Sequence, residues 1–422
     1  MVFEDERCDA FVPVAMFRHL SQLCRGTKTL LESLKEVVPR DTVYLWGRSE
    51  LRDVTRERLA IGYNLKPEDK ALFVNARARP SRALKSILGR SGDFVAFTEG
   101  GVVAARIRTG RLTPGALTTR RLLKAAQSTE RLEAAPDLLF NGSWDLIESN
   151  GMAIVEQGSR SFQSAPIPDV VTFKGVPSNI RINEAAEIDS LVSIDARAGP
   201  VIVDEGATVE SFSVLSGPCY IGQRSRIRSA LIRGGTSIFE NCRIGGEVEN
   251  SIVMSWSNKA HQGYLGDSIV GEWVNIGAGS TTSNLKNTYG SIRTDVGGRT
   301  VDTGMTKFGA VLGDMAKLSI GTMVYAGKNV GSASHVAGLV DQSVPPFTFF
   351  DARSRRMTEL DLASVIETQR RMMERRGRAL SKKEEVLLAL LFENTAKGRK
   401  LAGVRKGSIL EAEPIRHREA GG

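Results

Sequence analysis

The sequence predicts an α/β domain followed by a parallel β-helix and a helical tail, and three observations support this fold class. Aliphatic residues recur every six positions through a long central tract, whereas an α-helix has a period of about 3.6 and a strand a period of 2. Glycine follows several of these positions, as tight corners require. The flanking segments lack the repeat and show mixed strand and helix patterns before it and helical patterns after it.

The six-residue repeat predicts a triangular coil in which each step is one short strand and one corner. Three steps make a coil of about eighteen residues, and neighbouring coils lie roughly 4.8 Å apart. The alternative is a β-sandwich with coincidental spacing. The repeating positions are Ile182, Ile188, Ile194, Val203, Val209, Leu215, Ile221, Ile227, Ile232, Ile238, Ile244, Val270, Ile276, Leu312, Leu318, Val324, Val330 and Val336.

The chain divides into four predicted regions: an α/β domain over 1–140, a bridge over 141–175, the β-helix over 176–341 and a basic helical tail over 342–422. We expect the β-helix to draw little stability from the first domain, because each coil packs on its own neighbours. The tail predicts helices over 358–375 and 382–394, with a capping box of Ser381 and Glu384 before the second. An amphipathic pair of this kind is expected to cover the side or end of the β-helix.

Composition predicts a protein of the cytoplasm that does not cross a membrane. The longest apolar run, residues 386–392, is too short for a bilayer, and the N-terminus lacks the order of a signal peptide. The four cysteines have no metal-ligand spacing. The net charge of +9 suits anionic ligands such as nucleotides, sugar phosphates or coenzyme A, but no nucleic-acid recognition motif accompanies it.

One block inside the repeat is polar and specific. It contains Ala260-His261, Tyr264-Leu-Gly-Asp267, Asn275-Ile-Gly-Ala-Gly279 and Asn284. This order resembles the acetyltransferase half of the bacterial bifunctional enzyme that makes UDP-N-acetylglucosamine, and residues 1–375 look like the sugar nucleotidyltransferase family related to it. The resemblance implies a left-handed β-helix, contrary to the usual right-handed crossover, and a homotrimer with acyl sites between adjacent chains.

The resemblance also implies roles for individual residues. His261 would be the base that takes a proton as an amine attacks acetyl-CoA, a task for which imidazole is suited. Tyr264 and Asn275 would contact the sugar, Asn284 would lie in the same site, and the backbone near Ala278 would face acyl-CoA. The alternative for His261 is a corner residue hydrogen-bonded to backbone.

One position departs from the family pattern. The related acetyltransferases have a lysine that binds the sugar phosphate twelve residues before the catalytic histidine, and this chain has Glu249 there. A carboxylate would repel a phosphate. Lys259 and Lys286 are the candidates to replace that lysine in binding the substrate.

The first domain carries a weaker signal. Nucleotidyltransferases bind a nucleoside triphosphate and a sugar 1-phosphate with a glycine-rich loop, a basic residue and carboxylates that hold Mg²⁺. That loop is absent here, and the nearest nucleotide-binding candidates are Arg18 and Lys28, the latter in Arg25-Gly-Thr-Lys28. Residues 4–6, Glu-Asp-Glu, form either a metal cluster or a solvated acidic start.

The predicted function is a sugar-1-phosphate nucleotidyltransferase, forming a UDP- or dTDP-sugar, fused to an acetyl-CoA-dependent acetyltransferase-like domain for an amino-sugar phosphate. Its partners would be a nucleoside triphosphate, a sugar phosphate and acetyl-CoA, with Mg²⁺ as cofactor. The alternative is a non-catalytic trimeric scaffold that binds sugar nucleotides and has a degenerate first domain.

Overall fold

The computed structural model describes residues 1–38, 42–64, 70–108, 117–127, 129–158 and 164–407. Within these residues no helix is long and apolar enough to cross a membrane. The chain forms an N-terminal α/β domain, a left-handed parallel β-helix and a C-terminal helical segment, as the sequence predicts.

The α/β domain is built on a six-stranded sheet in the order β4-β1-β5-β7-β6-β8. Strand β1 pairs in parallel with both β4 and β5, so the carboxyl ends of these three strands share one edge. The strands, with a small hairpin β2–β3, are β1 (Val2–Phe3), β2 (Cys24–Arg25), β3 (Lys28–Thr29), β4 (Leu45–Trp46), β5 (Lys70–Asn75), β6 (Phe94–Thr98), β7 (Gly101–Arg108) and β8 (Glu130–Glu133).

Among the described residues, six α-helices accompany the sheet, and several begin at side chains that cap free backbone N–H groups. Thr29 forms a capping box with Glu32, and the Ser81 side chain accepts from the Leu84 N–H. The helices are α1 (Leu30–Lys35), α2 (Arg52–Leu59), α3 (Arg82–Leu88), α4 (Thr119–Ala125), α5 (Ser143–Glu148) and α6 (Asn150–Gly158). The sequence patterns predict helices over 82–88 and 118–127, and both are confirmed as α3 and α4.

The β-helix has three faces of parallel strands. The first face contains Ile180–Ile182, Val201–Val203, Cys219–Ile221, Thr236–Ile238, Ile252–Val253, Ile269–Val270, Val311–Leu312 and Asn329–Val330. The second contains Glu187–Ile188, Thr208–Val209, Asn258–Lys259, Asn275–Ile276, Lys317–Leu318, His335–Ala337 and Thr348–Asp351. The third contains Thr172–Lys174, Ser193–Asp195, Val214–Ser216, Tyr264–Gly266, Thr281–Thr282, Met323–Val324 and Leu339–Val340. Arg226–Ile232 and Arg243–Glu249 run from the second face into the third.

The six-residue repeat produces the interior of the prism. Ile227 pairs with Ile244, and Val203 pairs with Ile221, so aliphatic side chains of successive coils stack in register. These four side chains are fully buried. Each buried aliphatic side chain stabilises the fold by about 1.5–3 kcal/mol relative to exposure, which is why this periodicity predicts the fold without any knowledge of the rest of the chain.

The β-helix is longer at both ends than the sequence pattern indicates. Thr172–Lys174, inside the predicted bridge, pairs with Ser193–Asp195, and Thr348–Asp351 pairs in parallel with His335–Ala337 beyond residue 341. The described part of the remaining bridge contains the helices α5 and α6. Residues 283–310 leave the coil as an insertion that contains a hairpin of Arg293–Val296 and Arg299–Asp302.

The C-terminal segment differs in detail from its prediction. Arg356–Glu359 is a strand antiparallel to Thr348–Asp351, so α7 begins only at Leu362 and ends at Glu374. Helix α8 runs over Lys382–Leu401, and its predicted capping box of Ser381 and Glu384 is confirmed. Its Phe392 meets the corner residue Phe347 at a ring-centroid distance of 5.3 Å. The two helices therefore cover the side of the β-helix, as expected.

The α/β domain is docked on the β-helix through buried polar contacts. The Ser237 hydroxyl donates to the Gly26 carbonyl at 2.6 Å, and the Asn150 amide donates to the Gly235 carbonyl at 2.7 Å. Arg18 reaches across to Glu272 at 2.7 Å and to Asp314 at 2.6 Å. The two parts thus share a buried interface, and the near-independence of the β-helix stays a prediction.

Arg18→Ala is expected to destabilise the protein by about 3–5 kcal/mol, because Asp314 would remain buried without its cation. The guanidinium and the Asp314 carboxylate are each 2% exposed. Denaturant unfolding measures the loss. The matched control is Arg226→Ala, whose side chain is 58% exposed and lies 3.8 Å from Glu210, and which should change stability little. Equal effects of the two substitutions would contradict a structural role for the Arg18 ion pair.

Candidate active site

The polar block of the sequence lies where the third face meets the insertion. The Tyr264 hydroxyl donates to Glu249 Oε2 at 2.9 Å, and the Asn284 amide donates to the Tyr264 oxygen at 2.9 Å and to Asp267 Oδ2 at 2.6 Å. Asn250 donates to the other Asp267 oxygen at 2.7 Å. The insertion thus brings Asn284 onto Tyr264, and together they form a continuous hydrogen-bonded cluster.

Burial shifts the titration of this cluster. Burial, followed by the hydrogen bond to Glu249, raises the pKa of the Tyr264 phenol, and burial raises the pKa of Asp267 despite its amide partners. Tyr264 therefore stays a neutral hydrogen-bond donor and acceptor throughout the physiological range. The cluster offers hydroxyl, amide and carboxylate groups, which suit the hydroxyl and amine groups of a sugar.

His261 lies at the corner between the second and third faces, immediately before the strand that carries Tyr264. Its side chain is exposed and, within the described residues, makes no hydrogen bond. The alternative of a corner side chain hydrogen-bonded to backbone therefore receives no support from the structure. An exposed imidazole beside a polar cluster is free to accept a proton from a bound substrate.

The Lys259 side chain binds the backbone of this corner. Its ammonium donates to the carbonyls of Gly245 at 2.7 Å, His261 at 3.2 Å and Gly263 at 2.8 Å, and the residue is 3% exposed. Burial lowers the pKa of Lys259 to about 8. With three carbonyl partners beneath the backbone, Lys259 fixes the position of His261, and the structure gives it no direct role in binding a sugar phosphate.

Ala278 lies on the next coil above His261, because the Gly279 N–H donates to the Gln262 carbonyl at 3.1 Å. The Ala278 carbonyl accepts from the Gly321 N–H. Asn275 lies on the second face, where its side chain accepts from Asn258 at 2.8 Å. The structure therefore brings Ala278 to the His261 corner, whereas Asn275 lies on a different face from Tyr264.

Lys286 is the second lysine that the sequence offers as a phosphate ligand. Its ammonium donates to the Ser291 carbonyl within the insertion. The contact stabilises the loop that carries Asn284, so Lys286 supports the cluster from the insertion side.

Arg18 and Lys28, the nucleotide-binding candidates of the first domain, both form ion pairs within the protein. Arg18 is buried in its ion pairs with Asp314 and Glu272, which raise its pKa against the lowering effect of burial. Lys28 pairs with Glu36 on the surface of the β2–β3 hairpin. The two residues are not brought together at a common site.

In the acidic start, Glu4 and Asp5 are buried, whereas Glu6 is exposed to solvent. Burial alone would raise the pKa of Glu4, but the charge and hydrogen bonds of Arg48 lower it to about 2. The Glu4 carboxylate also accepts a hydrogen bond from the Leu20 N–H at 2.8 Å. Asp5 is bound by Arg77 at 2.9 and 2.6 Å. Both carboxylates are thus neutralised by arginines and do not fit a Mg²⁺ ion. Among the residues with described placement, no group of three potential metal ligands occurs.

A pair of arginines that no sequence motif indicates lies at the carboxyl edge of the sheet. Arg79 follows β5, and its guanidinium carbon lies 4.5 Å from the Phe140 ring centroid. That of Arg25 lies 5.7 Å from the same ring. Asp145 is 3.4 Å from Arg79, and the Nε of Arg79 is buried without a hydrogen-bond partner. Only the fold brings residues 25, 79 and 140 together.

The positive charges of Arg25 and Arg79 are only partly compensated by nearby anionic groups. Burial, with repulsion from Arg79, lowers the pKa of Arg25 to about 10 despite the attraction of Glu156. Arg25 is 7% exposed, and its one hydrogen bond among the described contacts goes to the Ser149 hydroxyl at 2.8 Å. Ligands of open α/β sheets bind outside the carboxyl ends of the strands, and an anion there would relieve this repulsion.

Known proteins resemble parts of this chain. A solved UDP-N-acetylglucosamine acyltransferase of Francisella novicida overlaps 58% of this chain and 100% of its own, at 15% identity and a TM-score of 0.25. Residues 1–161 match the family described as sugar nucleotidyl transferase. A bifunctional sugar-1-phosphate nucleotidylyltransferase/acetyltransferase of Sulfurisphaera tokodaii is 32% identical over 157 residues. Over the aligned residues the chain is similar to this bifunctional transferase.

The similarity covers only part of this chain and part of each bifunctional relative. The aligned region is 36% of this chain and 39% of the Sulfurisphaera protein. The bifunctional protein GlmU of Synechococcus elongatus is 33% identical over 158 residues, which are 36% of this chain and 31% of the relative. The chain thus aligns with 31–39% of the length of these two relatives.

Proposed function

We propose that the protein is a sugar-nucleotide enzyme in which the β-helix transfers an acetyl group from acetyl-CoA to an amine of a sugar. The observation that supports it is the cluster of Tyr264, Asn284, Glu249 and Asp267, together with the exposed His261 three residues before Tyr264. The amine nitrogen attacks the thioester carbonyl, a C–N bond forms, and the C–S bond to coenzyme A breaks. His261 accepts the amine proton and passes it to the leaving thiolate.

The acidic character of the cluster indicates which sugar atoms it binds. Glu249 and Asp267 both lie within hydrogen-bond distance of polar partners and repel a phosphate at this position. Tyr264 and Asn284 orient the hydroxyl groups of the sugar, while the carboxylates favour a substrate amine. A phosphate or nucleotide on the sugar would extend away from Glu249.

For the first domain we propose transfer of a nucleotidyl group to a sugar 1-phosphate, with Arg25 and Arg79 binding the phosphates. The family match of residues 1–161 and the position of this pair at the carboxyl edge support the assignment. Guanidinium groups bind phosphates with two parallel hydrogen bonds and remain charged at physiological pH. The described carboxylates at this edge do not fit Mg²⁺, so no metal-dependent step is assigned to them.

A two-part assay tests both assignments. The full chain is incubated with a panel of sugar 1-phosphates, nucleoside triphosphates and Mg²⁺, and pyrophosphate release is measured. Acetyl-CoA is then supplied with amino sugars and their phosphates, and free thiol is measured. We expect both products, and a homotrimer by light scattering. Absence of both activities, with sugar nucleotides still bound, would favour the non-catalytic scaffold.

A further inference from the structure

Helix α6 lies between the β2–β3 hairpin and the first face of the β-helix. Gly151 and Gly158 are seven residues apart and therefore share one side of this helix. A Cβ atom at Gly158 would lie 2.6 Å from Ile202 Cδ1, and one at Gly151 would lie 3.5 Å from the Gly235 Cα. Both glycines thus face the β-helix and allow α6 to approach it closely.

Two backbone N–H groups of the hairpin turn bind side chains of α6. The Gly26 N–H donates to Asn150 Oδ1 at 2.7 Å, and the Thr27 N–H donates to Gln157 Oε1 at 2.7 Å. Gly26 has φ of 70°, and a Cβ atom there would overlap the Gln157 amide. The turn therefore has one defined position on α6.

The β-helix binds the other side of the same turn. The Ser237 hydroxyl donates to the Gly26 carbonyl at 2.6 Å. The Asn150 amide donates to the Gly235 carbonyl at 2.7 Å and to the Ser237 oxygen at 2.9 Å. Both Ser237 and Asn150 are fully buried. The N–H of Gly26 is thus bound by α6 and its carbonyl by the β-helix, and Asn150 contacts both of these parts.

Arg25 directly precedes this turn, and phosphate binding is assigned to it above. Its Nε–H donates to the Ser149 hydroxyl at 2.8 Å, and Ser149 is the residue before Asn150. A two-stranded hairpin is at best marginally stable by itself. The position of the Arg25 guanidinium therefore depends on the contacts that hold Gly26 and Ser149.

We propose that Ser237 and Asn150 are positioning residues for phosphate binding by Arg25. The phosphate site of the first domain is then completed by the β-helix, although no β-helix residue contacts the phosphate, because Ser237 acts through the Gly26 backbone. This inference rests on the phosphate binding proposed above for Arg25. It adds that the nucleotidyl site requires the docked arrangement of the two parts.

Isothermal titration calorimetry of the full chain with inorganic pyrophosphate tests the proposal. We expect saturable binding that Arg25→Met weakens by about 10–100-fold, as the loss of a charge-assisted hydrogen bond does. Ser237→Ala and Asn150→Ala should each weaken it by about three- to tenfold, because the hairpin then shifts and Arg25 loses part of its contact. In the Arg25→Met background Ser237→Ala should have no further effect, since Ser237 acts through Arg25.

Ser334→Ala is the matched control. The Ser334 hydroxyl is also fully buried and donates to the Pro345 carbonyl at 2.6 Å, but it lies on a distant coil of the β-helix. Its removal should lower the melting temperature about as much as Ser237→Ala does and leave pyrophosphate binding unchanged. Thermal unfolding shows that each variant is folded, and Ser237→Ala keeps the test valid if Asn150→Ala does not fold.

Three outcomes would overturn the inference, and they differ in what else they remove. If Arg25→Met weakens pyrophosphate binding but Ser237→Ala and Asn150→Ala do not, Arg25 keeps its proposed function and only its positioning by the β-helix is wrong. If pyrophosphate does not bind, or binds to Arg25→Met as tightly as to the unchanged protein, the phosphate assignment of the first domain fails as well. An equal effect of Ser334→Ala, or a further loss in the double variant, would assign Ser237 a structural role only.

Discussion

Replacing His261 by alanine is expected to lower kcat for acetyl transfer by about 10²–10⁴-fold, the usual contribution of a general base. The side chain is exposed and, among the described contacts, unbonded, so its removal deletes no packing interaction. The melting temperature should therefore remain that of the unchanged protein. Release of free thiol from acetyl-CoA with the amino sugar identified by the assay panel measures the rate.

The control for this substitution is Gln262→Ala, an exposed neighbour on the same corner. It removes a polar side chain of similar exposure without removing an imidazole, and it should retain the activity. Equal rates for His261→Ala and the unchanged protein would remove His261 from the mechanism. A fall in melting temperature together with the activity would assign it a structural role.

The second large effect is expected in the first domain. Arg25→Met or Arg79→Met should lower kcat/KM for pyrophosphate release by about 10–100-fold, because each removes a charge-assisted hydrogen bond to phosphate worth about 1.5–3 kcal/mol. Methionine preserves part of the apolar stem that packs beside Phe140. The rate should fall for every nucleoside triphosphate that the enzyme accepts, because the arginines would contact the phosphates and not the base.

The two halves provide internal controls for the arginine variants. Acetyl transfer by Arg25→Met and Arg79→Met should remain unchanged, and pyrophosphate release by His261→Ala should remain unchanged. Arg52→Met is the matched arginine control, because its side chain is 55% exposed and pairs only with the exposed Asp53 at 3.5 Å. If Arg52→Met reduces pyrophosphate release as much as Arg79→Met does, the Phe140 pair is not the phosphate site.

Local pattern predicted the β-helix well because its energetics are local. Each aliphatic position, such as Ile227 or Ile244, stacks on its counterpart one coil away, about eighteen residues along the chain. The capping box of Ser381 and Glu384 was predictable for the same reason, since its partners are three residues apart. The pattern failed at Arg356–Glu359, where pairing with Thr348–Asp351 gives a strand in a segment with helical periodicity.

Charged residues were the least predictable part of the site. Glu4 and Asp5 are adjacent in sequence, but their roles are set by Arg48 and Arg77, which the sheet brings from distant positions. Arg18 had the residue type of a phosphate ligand, yet its partners lie on the β-helix. A charge can be assigned a role only when its partners are known, because an ion pair depends on distances of a few ångströms.

The sequence by itself determined the six-residue repeat, because contacts between neighbouring coils create it. Only the tertiary structure placed Asn284 on Tyr264, set Lys259 beneath His261, and joined Arg25 to Arg79 at Phe140. The tertiary structure also placed Asn150 between the Gly26 turn and the β-helix. These arrangements depend on contacts between segments far apart in the chain, and no periodicity in a sequence records such contacts.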